Sequence, residues 1–208
     1  KLVSGPVNFN LSSNFFSKIQ TLEFLSLIGS AAGAIGIGKP ILCNGANLAY
    51  RRKVFLEFND YASNEIVSGD DVFLLHVIKN KFPNSIKFVK NYNATVLTNA
   101  VSGLYGFINQ RKRWSAKSKY YKDSDTIFVA VIVFLTNLSI VFLSVGSFFD
   151  HSLIEVLFNF FLVKLIIDLI FLLPVLFFFK RMELIKWIFS LQFIYPFYIT
   201  LVSIFSNI

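Results

Sequence analysis

The chain has 208 residues, of which 55% are hydrophobic and 26 are phenylalanine, and its mean hydropathy is +0.62. It is more apolar than most water-soluble domains, and its 15% of charged residues is low. Residues 1–125 carry the whole net charge of +8, whereas residues 126–208 are neutral. Cys43 is the only cysteine in the sequence, which excludes an internal disulfide.

Three long apolar stretches in the second half predict three transmembrane helices, at residues 127–149, 153–179 and 187–208. The first stretch carries no charge. At about 1.5 Å per residue, about 20 residues cross a hydrocarbon core about 30 Å thick. We therefore expect a polar, basic domain at residues 1–125 and a membrane domain at residues 126–208.

The charges beside these stretches predict their orientation. Residues 111–122 and the loop at residues 180–186 are rich in Lys and Arg, whereas residues 150–152 contain neither. Positively charged loops remain on the cytoplasmic side of a membrane. We expect a multi-pass protein of the cell membrane, with residues 1–125 in the cytoplasm and the C-terminus outside.

One further apolar stretch, residues 22–38, is nearly long enough to span a membrane. Its small residues and the Lys39-Pro40 step after it favour an amphipathic helix from Phe15 to about Ser30, followed by a loop. Such a helix is compatible with a place on the membrane surface. The stretch is not counted as a span.

The second predicted span contains Lys164 and Asp168, four residues apart on one helix face, and we expect them to pair. Two interpretations stay open. The pair could line a path for a polymer between helices, or it could face neighbouring helices as a paired charge. The second interpretation is favoured because many helix bundles contain such pairs.

Short strands and helices alternate in residues 1–125. Strands are predicted at residues 2–7, 86–89 and 95–98, and helices at residues 15–30, 68–80 and 102–119. This alternation predicts an α/β layer.

Asp70 and Asp71 are the first candidate site. Ser68 with Asp71 is an N-cap pattern, and the helix dipole stabilises acidic residues in a first turn. Capping explains one carboxylate but not two adjacent ones, which repel each other. A carboxylate that stays ionised at a helix N-terminus could act as the general base for an attacking hydroxyl.

The second candidate site is a set of three residues, Gln110, Arg113 and Trp114, here called the QRW face. They share one helix face because they are spaced at i, i+3 and i+4. A guanidinium can bind a diphosphate through two parallel hydrogen bonds, and an indole can stack on a sugar ring. Alternatively, the basic helix binds anionic headgroups and Trp114 lies at the membrane interface, which does not require Gln110.

The third candidate is the loop of Gly45, Ala46 and Asn47, here called the GAN loop. Glycine permits close approach of the backbone, and the amides of Asn44 and Asn47 suit the hydroxyl groups of a sugar. A loop of this kind, taken alone, is usually only a turn.

Taken in order, these segments resemble the family 2 glycosyltransferases, the inverting group that includes cellulose, chitin and hyaluronan synthases. The matching segments are residues 3–7, 20–24, 45–51, 68–71 and 110–114, followed by membrane helices. The resemblance implies the C-terminal half of a GT-A-type α/β domain that uses a nucleotide-sugar donor. It implies a saccharide or lipid acceptor and contact with membrane lipids, and no nucleic acid is expected as a partner.

The resemblance also implies roles for the candidate residues. Asp71 would be the catalytic base, and Asp70 would orient the acceptor. The QRW face would close over the donor diphosphate and border the acceptor sugar, and the GAN loop would contact one of the two sugars.

The nucleotide-binding Asp and the metal-binding Asp-x-Asp of the family belong upstream of Val3 and are not in this sequence. Asp123-Ser124-Asp125 is interpreted as the start of a membrane helix and not as a metal site. We therefore expect Mg²⁺ or Mn²⁺ only in a longer protein, with its ligands outside this chain, and we expect the chain alone to be inactive.

A non-enzymatic transporter or anchor subunit with a basic cytoplasmic domain is the alternative. It would explain the predicted spans and the charge. It would not explain the acidic pair or the QRW face.

Overall fold

The computed structural model describes residues 1–10, 12–58 and 70–205 of the chain. The helices are α1 (Phe15–Gly36), α2 (Arg52–Phe58), α3 (Asp70–Lys81), α4 (Leu104–Ala116), α5 (Ser124–Gly146), α6 (Leu153–Phe178) and α7 (Ile185–Phe205). The strands are β1 (Leu2–Ser4), β2 (Val7–Phe9), β3 (Leu48–Tyr50), β4 (Ile86–Phe88) and β5 (Val96–Thr98).

Of the described residues, 71% are helical and 8% lie in strands, so the predicted α/β domain of GT-A type is wrong. Strands do occur close to the predicted positions, but each of the five has only three residues. The alternation in the sequence indicated which segments form strands and which form helices. The fold class depends on how much sheet is formed, which the alternation did not reveal.

The predicted strand at residues 2–7 is divided at Gly5-Pro6, where the chain leaves one sheet and enters another. β1 lies between antiparallel β3 and parallel β4, whereas β2 pairs in parallel with β5. Pro6 has no N–H to donate, and a Cβ on Gly5 would lie 2.3 Å from the Asn47 side chain. The step between the sheets therefore depends on both residues.

Helix α1 differs from its prediction in length and in burial. It continues beyond Ser30 to Gly36, and seven consecutive residues, Ile19–Leu25, are buried. An amphipathic helix would expose one face, so that prediction is wrong. The helix packs against β2 and β4 and also against α6 and α7, and these contacts outweigh the low helix propensity of its glycines.

In the part of the chain that the structure describes, four helices are long and apolar enough to cross a membrane: α1, α5, α6, and α7 with the preceding turn from Met182. They make this chain a multi-pass membrane protein. Only 11% of the most apolar part of α5 or α6 is buried within the protein, compared with 56% for α1. Helices α5 and α6 therefore offer most of their surface to lipid.

Of the described glycines in α1, Gly29 lies closest to α6. A Cβ at this position would lie 2.6 Å from Cγ2 of Val175, a β-branched side chain with little freedom to move away. Small residues at such contacts let helix backbones approach each other in membrane proteins. Gly33, one turn later, has no atom within 4 Å of the corresponding point.

We expect Gly29→Ala to lower the thermal unfolding midpoint of the protein in detergent relative to Gly33→Ala. Both substitutions gain about 1 kcal/mol of helix propensity. Only Gly29→Ala also overpacks the contact with α6, which costs about 1–3 kcal/mol. Equal midpoints for the two variants would show that α1 and α6 are not in contact there.

Candidate functional site

The carboxylate of Asp71 lies in the first turn of α3 and contacts the GAN loop. Its Oδ2 accepts a hydrogen bond from the backbone N–H of Gly45 at 2.9 Å, and its Oδ1 accepts one from Val72 N–H at 2.9 Å. The Cys43 thiol donates to the backbone oxygen of Asp71 at 3.3 Å. Two candidate segments that lie 26 residues apart in sequence thus meet at one carboxylate.

Asp70 is the first residue of α3. The predicted N-cap at Ser68 lies outside the described residues. The role of Asp70 stays a prediction.

The GAN loop forms a single 3₁₀ turn, which Asn44 caps by accepting a hydrogen bond from Ala46 N–H at 2.9 Å. Both amide hydrogens of Asn47 are used within the fold, since Nδ2 donates to the backbone oxygens of Pro6 and Ala94 at 2.9 and 2.8 Å. Asn47 therefore joins the segment between β1 and β2 to the segment before β5. Its predicted contact with a sugar could use only the amide oxygen.

The groups around Asp71 keep their protons at neutral pH. Burial, followed by the charge of Asp71, raises the pKa of Cys43 well above its usual range and that of Tyr121 to about 12. The Tyr121 ring also packs edge-on against Phe73 and His76 of α3. The thiol and the phenol can therefore donate hydrogen bonds near the carboxylate, but they do not compete with it as a base.

Arg111 is the buried residue of the segment 110–114 in α4, and it is not a member of the QRW face. Its Nε and Nη2 donate to the two carboxylate oxygens of Glu23 in α1, at 3.0 and 2.8 Å. Tyr198 of α7 donates its hydroxyl to the same carboxylate. Burial alone would lower the pKa of Arg111, but the hydrogen bonds and charge of Glu23 raise it overall.

The other residues of the motif are arranged around this guanidinium. Gln110 Oε1 accepts a hydrogen bond from Arg111 Nη1 at 2.6 Å, and the Trp114 ring centroid lies 4.3 Å from Arg111 Cζ. Phe107 lies 4.5 Å away on the same helix. Arg113 is exposed. Two members of the QRW face thus contact Arg111, and Arg113 remains accessible to a ligand.

The Glu23–Arg111 pair could have been suspected from the sequence. Glu23 lies within an apolar stretch, and a buried carboxylate requires a partner. Helical spacing alone does not indicate whether Arg111 or Arg113 is the partner of Glu23.

Asp123 and Asp125 both form ion pairs with one lysine. Lys79 Nζ of α3 lies 2.7 Å from Asp123 Oδ2 and 2.8 Å from Asp125 Oδ2. Asp123 also caps α5 by accepting a hydrogen bond from Thr126 N–H at 2.9 Å, which confirms the predicted helix start. These contacts connect the helix that carries Asp71 to the first long apolar helix after it.

The described residues do not fit a divalent metal. Residues 1–10, 12–58 and 70–205 contain no group of three or more His, Cys, Asp or Glu side chains that could hold one. The Asp123 and Asp125 carboxylates already neutralise Lys79. The expected Mg²⁺ or Mn²⁺ is therefore not assigned to any of the described residues.

Lys164 and Asp168 form the predicted ion pair, with 2.5 Å between Nζ and Oδ2. Gln192 of α7 accepts from Lys164 at 2.8 Å and donates to Asp168, so the pair links α6 to α7. A cavity of about 310 Å³ lies between α5, α6 and α7, and apart from Gln192 and Ser144 its lining is apolar. This arrangement favours the paired charge over a polar path for a polymer.

Comparison with known proteins assigns no family to the chain. No protein-family model matches it, and a search of the curated proteins gives no match. The resemblance to glycosyltransferases therefore depends on the sequence segments alone.

We expect Arg111→Met to lower the stability of the protein far more than Arg113→Met. The first substitution leaves the Glu23 carboxylate buried without its cation, which typically costs about 3–5 kcal/mol. The second removes the same charge from an exposed position on the same helix. Thermal unfolding in detergent measures the difference, and a double variant with Glu23→Gln should recover part of the loss. Equal stability of the two single variants would contradict the buried pair.

Proposed function

We propose that this chain belongs to an enzyme that transfers a sugar, with inversion, from a nucleotide-sugar donor to a saccharide or lipid acceptor at the membrane. The observation that carries this proposal is the hydrogen bond between Gly45 N–H and the Asp71 carboxylate. It brings together two of the segments on which the resemblance to family 2 glycosyltransferases is based.

Asp71 is the general base in this proposal. Each of its oxygens accepts one hydrogen bond from a backbone N–H, which fixes the orientation of the carboxylate. An ionised carboxylate has about four acceptor positions, so capacity remains for the proton of an acceptor hydroxyl. As that proton moves to Asp71, the hydroxyl oxygen attacks the anomeric carbon, and the nucleoside diphosphate leaves from the opposite face. Asp70 orients the acceptor.

Arg113 is the residue of the QRW face that binds the donor diphosphate. Its side chain is exposed, and a guanidinium suits two phosphate oxygens at once. Gln110 and Trp114 contribute through their contacts with Arg111, whose ion pair with Glu23 joins α4 to α1. No step is assigned to a metal ion, because the described residues provide no ligand set for one.

We expect Asp71→Asn, introduced into the complete protein, to reduce sugar transfer by about 10²–10⁴-fold, the usual effect of losing a general base. Asp150→Asn is the matched control, because it removes an exposed carboxylate from the turn between α5 and α6. Transfer is measured as nucleoside diphosphate release from a panel of nucleotide sugars in detergent.

Normal transfer by the Asp71→Asn protein would exclude this residue as the base. Absence of donor turnover in the unaltered protein, over the whole panel, would favour the transporter or anchor alternative.

We further propose that residues 1–122 lie on the cytoplasmic side of the cell membrane and that α1 does not cross it. The basic residues before α5 and between α6 and α7 support this orientation. β2 before α1 pairs with β5 after it, and β1 pairs with β3 and β4. A helix whose flanking strands join the same sheets keeps both of its ends on one side.

Cysteine labelling tests this topology. With Cys43→Ser as background, we expect a membrane-impermeant maleimide to label Asp150→Cys in intact cells, but not Ser12→Cys or Tyr120→Cys. All three positions are exposed on the protein surface, so permeabilised cells should give labelling of each variant. If either Ser12→Cys or Tyr120→Cys reacted in intact cells, α1 would span the membrane or the orientation would be reversed.

A further inference from the structure

The turn between α6 and α7 and the first turn of α1 bring basic side chains together around one indole. Lys18 Nζ and Lys186 Nζ each lie 5.6 Å from the ring centroid of Trp187, and the Phe15 ring contacts the same indole edge-on at 5.1 Å. Arg181 lies in the turn that precedes α7. Lys18, Lys186 and Trp187 are here called the Trp187 cluster.

Two helix N-termini meet at this cluster. α1 begins at Phe15 and α7 begins at Ile185, so both lysines lie in a first helical turn. The first turn of α1 contains no acidic residue, whereas α7 continues from the 3₁₀ turn Met182–Leu184, which contains Glu183. The N-terminus of a helix carries a partial positive charge, which disfavours lysine and favours an anion. Residues that oppose the usual preference of their position, as lysine does at a helix N-terminus, are commonly found at functional sites.

Two buried donors at the same turn have no hydrogen-bond acceptor among the described residues. Trp187 Nε1 is one. The other is Nε of Arg181, a residue that is only 7% exposed. The half-exposed Glu183 carboxylate lies 3.1 Å from this Nε, but not in hydrogen-bonding geometry. Buried donors are normally paired, so an acceptor that reached this turn would satisfy two groups that the described residues leave without one.

We propose that the Trp187 cluster binds a phosphate group, supplied by the headgroup of an anionic phospholipid. Phosphate oxygens accept strong charge-assisted hydrogen bonds from lysine and arginine. The turn joins two long apolar helices, which puts it at the depth of the headgroups, where tryptophan is enriched. Basic residues between membrane helices bind anionic headgroups through the same chemistry.

The test uses the whole chain in a neutral detergent, with short-chain phosphatidylglycerol as the probe. The rise of the thermal unfolding midpoint with lipid concentration gives an apparent affinity. We expect Lys18→Gln with Lys186→Gln to weaken this affinity by roughly 30-fold. Lys87→Gln with Lys90→Gln, which removes two exposed charges elsewhere, should keep the affinity of the unaltered chain. Lys18→Arg with Lys186→Arg should keep it as well.

The remaining measurements separate the possible sources of the phosphate. Phosphatidylcholine, which is zwitterionic, should raise the midpoint less than phosphatidylglycerol. If inorganic phosphate alone gave the full rise in the unaltered chain, the lipid assignment would be overturned. If the double glutamine variant responded like the unaltered chain, or if neither probe changed the midpoint, there would be no site. Should that variant not fold, Lys186→Gln at the exposed position provides the same comparison, with an expected loss of roughly fivefold.

Discussion

The ion pair between Glu23 of α1 and Arg111 of α4 also includes the Tyr198 hydroxyl of α7, so it connects three helices that are far apart in sequence. The positions of the other elements depend on it. Both side chains are almost fully buried, with 5% and 4% of their surfaces exposed. Removing two charges from water is costly, and the cost is recovered only when the geometry is good and other partners are present. Two hydrogen bonds between the charges, the Tyr198 hydroxyl and two aromatic rings provide these partners. An arrangement with so many requirements permits little movement of α1 against α4 and α7.

The small sheets depend on α1 in turn. Strands of three residues do not form a stable sheet by themselves. The Phe9 ring of β2 stacks on Phe24 of α1 at 4.3 Å, and Val7 and Phe9 belong to one buried cluster with apolar residues of α1, α6 and α7. The polar part of the chain is therefore built onto the membrane helices. The helix that carries Asp71 is attached at its other end as well, through Lys79, to the start of α5.

The sequence predicted those parts of this fold that depend on residues close together in the chain. The positions of α5, α6 and α7 follow from long apolar stretches, and the cap at Asp123 follows from a short pattern. The burial of α1 did not follow, because it depends on helices more than a hundred residues later. Helical spacing indicated that Gln110, Arg113 and Trp114 share a face, but not that Arg111 beside them is the buried one. The contact between Gly45 and Asp71 likewise depends on two segments that meet only in the folded chain.

Two groups of cations can be distinguished among the described residues. Arg111, Lys79 and Lys164 each have one or more carboxylate partners within 2.8 Å, so these cations are neutralised inside the fold and have little attraction left for a ligand. Arg113 and Lys186 are exposed at the ends of helices, where an anion can approach them. Charge density in the sequence does not distinguish the two groups, since Arg111 and Arg113 come from the same basic segment. The partner carboxylates of Arg111 and Lys79 lie in other elements, whereas that of Lys164 lies one turn away on the same helix. This pairing separates the residues that build this protein from those that can bind a phosphate.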